Sequence, residues 1–156
     1  MPEDRDVPSV QRPVIAGGDT APPRIRRLAA GFLMLQAAGT STWWVVMLAY
    51  PASRQPYLAP GAPDSTLFPF AIPDLAFYIL GSLLVAWGLV MSRPWAWPVL
   101  CVHTGAIVYS ALYGLALPLL SGGGWGSLMM VPSAIIELAL VWLLRPTRRD
   151  GRRAAP

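Results

Sequence analysis

The sequence predicts an all-α integral membrane protein: a four-transmembrane-helix bundle with its N and C termini in the cytoplasm. Four apolar runs are each long enough to cross a bilayer, which takes about 20 residues of helix. Hydrophobic residues make up 54% of the chain and charged residues 13%, against roughly 25% charged in a soluble domain. Of the 12 basic residues, all arginine, only Arg54 falls outside the segments placed on one side of the four runs.

Residues 1–24 carry Pro2, Pro8, Pro13, Pro22 and Pro23 with scattered charge and no apolar period, the composition of a disordered cytoplasmic tail. Arg24, Arg26 and Arg27 then introduce the first span, about 28–50. Ala37-Ala38-Gly39 imitates a signal cleavage site, but Trp43 to Leu48 continues the apolar run to spanning length, so a retained helix is expected.

The loop 51–72 contains Pro51, Pro56, Pro60, Pro63 and Pro69, which exclude a long helix. Its apolar second half, Leu67 to Ile72, suits a membrane surface or a lid. The second span, 73–92, begins at Pro73, where the first turn of a helix tolerates proline. A hairpin over Arg93 to Pro98 leads into the third span, 95–118, with Trp95 and Trp97 at belt positions. Ser121 to Gly124 is a flexible turn before the fourth span, 125–144. Residues 25–145 thus form one membrane domain, followed by a basic cytoplasmic tail, 146–156.

Five arginines precede the first span, Arg93 lies in the middle hairpin and five follow the fourth span. The positive-inside rule therefore places both termini in the cytoplasm. Lysine and asparagine, whose codons begin with AA, are both absent, which fits a GC-rich bacterial genome and so a multi-pass protein of the inner, cytoplasmic membrane.

Helical spacing gives the second span a stripe of Asp74, Tyr78, Gly81, Val85, Gly88 and Ser92 on one face, opposite Phe77, Leu80, Leu84 and Trp87. The small and polar stripe is expected against other helices and the bulky one against lipid. Ala106, Ser110 and Gly114 repeat the device in the third span, with His103 near the same line. In the fourth span Gly126, Met130, Ser133 and Glu137 line up, and Pro132 denies Leu128 its usual donor, which favours a bend beside Glu137.

Gln36 lies nine residues beyond Arg27, His103 ten beyond Arg93, and Glu137 eight before Arg145. At about 1.5 Å per residue all three reach the middle of a hydrocarbon core about 30 Å thick. An ionised Glu137 facing lipid costs at least about 2.5 to 3.5 kcal/mol, so the expectation is a polar layer in which Gln36, His103 and Glu137 meet. Such groups serve either as hydrogen-bonding glue between helices or as a proton-handling pair, His103 and Glu137. Asp74, with Tyr78 and Tyr113, is expected at the outer mouth, where a carboxylate also suits a helix start.

Several chemistries lose their residues. Without lysine there is no Schiff base, and with Cys101 alone there is no intramolecular disulfide or thiolate cluster. One histidine excludes bis-histidine haem within the chain, and no metal or other cofactor is expected. The glycine-rich turn lacks the strand and the Lys-Ser/Thr of a phosphate loop. The arginines flank apolar spans, so the expected partners are membrane lipids and a membrane protein or second copy of the chain, with no nucleic acid.

The small-residue stripes and the lack of a full catalytic set favour an accessory or interaction subunit, not an enzyme. Two alternatives use His103 and Glu137. One is a proton-coupled carrier of a small or apolar molecule. The other is a membrane enzyme of acid-base isomerase type on a lipid-like substrate.

Overall fold

The computed structural model describes residues 21–146. The expected tails fall mostly outside that range, 1–20 of the first and 147–156 of the second. Among the described residues the chain is all-helical, with no strand and four helices long and apolar enough to cross a membrane.

Helix α1, Pro23–Ala49, starts about a turn before the expected boundary and takes in the basic cluster Arg24, Arg26 and Arg27. Hydropathy marks where lipid begins and not where a helix begins. Arginine is a good helix former, and a proline in the first turn is pre-set for the helix. At its other end, the Arg54 side chain donates to the carbonyls of Met47 at 2.7 Å and Leu48 at 3.4 Å and pairs with Asp64 at 2.8 Å. The one arginine expected at this end therefore satisfies the last free carbonyls of α1.

Helix α2, 71–90, includes a π-helical segment, Asp74–Gly81. The wider turn rotates the following residues relative to an ideal 3.6-residue period. As a result Ser82, fully buried, joins Asp74, Tyr78, Val85 and Gly88 on the inner face. Ser92 leaves the expected stripe: α2 ends at Val90, and Ser92 is exposed in the left-handed region at φ 54°. Phe77, Leu80, Leu84 and Trp87 are exposed on the other side, where lipid is expected.

Helix α3, Ala96–Ser121, continues past Pro118, where the sequence suggested it would stop. Proline removes the donor for the carbonyl of Gly114. The hydroxyl of Ser127 replaces it, donating to the Gly114 oxygen at 2.6 Å. The helix ends at Gly122 in the left-handed conformation, φ 74°. Its buried line runs through Leu100, His103, Thr104, Ile107, Ala111 and Gly114, so Ala106 and Ser110 flank the contact instead of centring it.

Helix α4, Trp125–Leu143, opens as a 3-10 turn over Trp125–Met129 and becomes α-helical from Met130. Pro132 sits in the first α-helical turn, where the missing N–H costs little, so the irregularity lies at the change of helix type.

Helix α1 packs on α2, α2 on α3, and α3 on α4, while α1 and α4 make no comparable backbone approach. Two apolar clusters fill the interior. Leu33, Val85, Leu89 and Leu100 centre one near the middle hairpin; Tyr78, Ile107, Ala111 and Ala134 form the other towards the opposite end. Arg26 donates to Ser92 at 2.6 Å, which brings the arginine cluster of α1 to the hairpin of Arg93.

Candidate functional site

Between the two apolar clusters lies a polar layer built by all four helices. Gln36 of α1 donates from Nε2 to Oε1 of Glu137 on α4 at 2.8 Å. Nδ1 of His103 on α3 lies 3.0 Å from Glu137 Oε2, and the hydroxyl of Thr104 donates to the same oxygen at 3.0 Å. Ser82 of α2 is 3.0 Å from His103 Nε2 and 3.4 Å from Gln36 Nε2. Glu137 is 0% and His103 3% exposed, so neither relies on solvent for a partner.

The directions of these bonds are mutually consistent. With Glu137 as a carboxylate, both its oxygens accept, so His103 carries its proton on Nδ1. Neutral His103 then accepts at Nε2 from the Ser82 hydroxyl, and Ser82 accepts the second, weaker N–H of Gln36. Every line of donors in the layer ends on Glu137. Gly81 leaves room for the imidazole: a Cβ there would come within 3.2 Å of the His103 ring.

The sequence singled out three members of this layer and missed two. Thr104 follows His103 at the same depth and shares its inward face. Ser82 was hidden by the π-helical turn, since α-helical spacing assigns Gly81 to the stripe in its place.

Beside the layer, a cleft of about 180 Å3 opens where α1 and α4 stand apart. Its walls are Gln36, Gly39, Thr40 and Trp43 from α1, Asp74 and Tyr78 from α2, and Met129, Met130 and Ser133 from α4. Gly39 and Met129 are exposed, so the cleft reaches the protein surface. Tyr57 of the 51–72 loop closes over this end, with its ring 5.1 Å from that of Trp43 and its hydroxyl 3.2 Å from the sulfur of Met129.

Three polar atoms of the cleft residues are buried without a hydrogen bond: Gln36 Oε1, Trp43 Nε1 and the Tyr78 hydroxyl. The last lies beside Ser110 but makes no bond of normal geometry with it. Such orphans cost about 1 to 3 kcal/mol each, and three around one cavity mark a place where something else supplies partners. Asp74, 7% exposed, accepts from Trp44 Nε1 at 3.0 Å through Oδ2. Among the described residues no arginine forms a salt bridge with it.

Of the residues expected at the outer mouth, Asp74 and Tyr78 line the cleft and Tyr113 does not. Tyr113 packs against Phe70, with ring centroids 5.4 Å apart. Three glycines among the packing positions have internal neighbours: a Cβ on Gly81 would meet the His103 ring at 3.2 Å, one on Gly88 would meet Trp95 at 2.7 Å, and one on Gly114 would meet the Ser127 carbonyl at 2.7 Å. Ser133 is a cleft residue. Among the described residues no cluster of three metal-ligating side chains exists.

No protein-family model, no curated protein and no solved structure matches this chain.

Proposed function

We propose that this protein is a membrane carrier in which a small molecule held in the cleft is linked to a proton on the Glu137 and His103 pair. The observation that carries this reading is the double position of Gln36. Its Nε2 serves Glu137, its Oε1 is unpaired, and the residue is part of a cleft wall.

An amide has a donor end and an acceptor end, so Gln36 transmits protonation by rotation. While Glu137 is ionised, Gln36 turns its N–H groups to the carboxylate and leaves its carbonyl for the cleft. When Glu137 takes a proton, its new O–H needs an acceptor; the amide turns over, accepts that bond and presents NH2 to the cleft. A molecule that donates to Gln36 therefore favours the ionised carboxyl, and one that accepts favours the protonated one. The titratable groups around this arrangement are His103, Asp74 and Tyr78.

The same geometry favours a carrier over an acid-base enzyme. A general acid or base must reach the atom it serves, and Glu137 and His103 lie behind Gln36, outside the cleft lining. Infrared difference spectroscopy of the protein in nanodiscs tests the proton link. A protonated-carboxyl band that changes with pH and is lost in Glu137→Gln supports it; the absence of any such band reduces the layer to structural glue.

The accessory-subunit reading keeps one specific support. Gly31, Ala38 and Thr42 lie on a common exposed face of α1, with open space around Gly31. Crosslinking from position 38 in native membranes tests it, and a single stoichiometric partner supports it. We place the protein in a bacterial inner membrane with cytoplasmic termini, a reading that rests on the arginine distribution.

A further inference from the structure

We propose that the cleft between α1 and α4 is a binding site for a small protonated organic amine with an apolar body, and that Asp74 is its counter-ion. The inference rests on the cleft being a ligand site but not on the proton at Glu137.

Charge comes first. Asp74 is buried, lines the cleft and is bonded only on Oδ2 by an uncharged indole N–H. A buried carboxylate is stable when a cation or several donors compensate it, and intramembrane carboxylates in such positions mark ligand or ion pathways. Trp44, which bonds it, and the α1 and α4 residues that share the cleft with it carry no positive charge. Among the described residues none supplies a cation to Asp74, which leaves that place to a bound one.

Hydrogen-bonding pattern comes second. Of the three unpaired atoms, Gln36 Oε1 accepts, Tyr78 Oη can accept or donate, and Trp43 Nε1 donates, so two of the three can receive an N–H; Gln36 and Tyr78 are 9% and 6% exposed. An ammonium group offers several N–H donors at one point, so one paired with Asp74 keeps N–H groups to give to a neighbouring acceptor of the cleft. A lone metal cation is a poorer fit, because the walls supply a single carboxylate, with neutral amide and hydroxyl oxygens and two thioethers as the other donors.

Size and surface come third. A cavity of about 150 Å3 is known to hold benzene, so about 180 Å3 suits one ring with a short polar arm. The indole and phenol rings of Trp43 and Tyr78 favour a cation beside them, while Met129 and Met130 adapt to an apolar body. An amine donating to the Gln36 carbonyl holds that amide in the orientation that serves an ionised Glu137, so amine in the cleft and proton on Glu137 exclude one another.

The test is fluorine NMR of 4-fluorobenzylamine and the near-isosteric, uncharged 4-fluorobenzyl alcohol, each titrated with the full-length protein in nanodiscs. The amine should bind wild type about tenfold or more tightly than the alcohol, as a charge-assisted bond requires. Asp74→Asn, which keeps an acceptor for Trp44, should remove that advantage and leave the alcohol unchanged. Equal binding of the two probes to wild type, insensitivity of the amine to Asp74→Asn, or no binding of the amine would overturn the proposal. A failure of Glu137 to titrate would overturn the proton link alone and leave amine binding standing.

Discussion

Gln36 Nε2 and Glu137 Oε1 meet at 2.8 Å and tie α1 to α4, two helices whose backbones approach each other less closely than those of neighbouring helices in the chain. The bond closes the bundle at mid-depth and leaves the cleft open beside it. One side chain thus acts both as a fastening between the ends of the four-helix array and as a wall of its cavity.

Gln36→Leu should destabilise the fold by about 1 to 3 kcal/mol, because the buried Glu137 oxygen loses a donor that lipid cannot replace. Reversible unfolding in mild detergent measures this. Thr104→Val should cost less, about 0.6 to 2 kcal/mol, since the oxygen it serves keeps His103.

His103 is the only histidine, so its ring nitrogens give unambiguous signals in 15N NMR. Nδ1 should carry a proton, held by Glu137, and neutral His103 should accept at Nε2 from Ser82. Ser82→Ala should alter the Nε2 signal and leave Nδ1 protonated. An Nε2-protonated neutral ring in wild type would reverse the donor order derived for the layer.

Gly114→Ala should destabilise by about 1 to 3 kcal/mol, because the added Cβ comes within 2.7 Å of the Ser127 backbone oxygen. The same change at Gly105, which has open space around it, should be neutral or stabilise by about 0.4 to 1 kcal/mol. Thermal unfolding of the two variants side by side isolates the close approach from the intrinsic preference of a helix for alanine.

Arg54→Ala should cost about 0.5 to 2 kcal/mol, locally, through loss of the carbonyl caps on α1 and of the Asp64 pair. Hydrogen exchange should rise over residues 47–66 and remain unchanged in the polar layer. A loss spread over the whole bundle would assign Arg54 a larger part than its contacts imply.

The four long apolar helices, their approximate limits and the common level of Gln36, His103 and Glu137 along them were legible in the sequence, because a membrane span has a set length and helical rise fixes distance from the flanking arginines. That these three meet was a reasonable expectation, since a buried carboxyl needs partners. Ser82 was not legible: the π-helical turn over Asp74–Gly81 is a departure from regular period that composition does not announce. The continuation of α3 through Pro118 depends on Ser127, nine residues ahead and on another helix, supplying the lost bond.

The sequence by itself determined four helices long and apolar enough to cross a membrane and the positions of their polar groups along them, since both follow from local composition and helical rise. Only the tertiary structure decided that α1 and α4 stand apart, and that Gln36, Trp43, Tyr78 and Asp74 line the resulting cleft. The physical reason is that helix pairing is set by side-chain fit between segments far apart in the chain. A cavity is what that fit leaves unfilled, and no single segment encodes it.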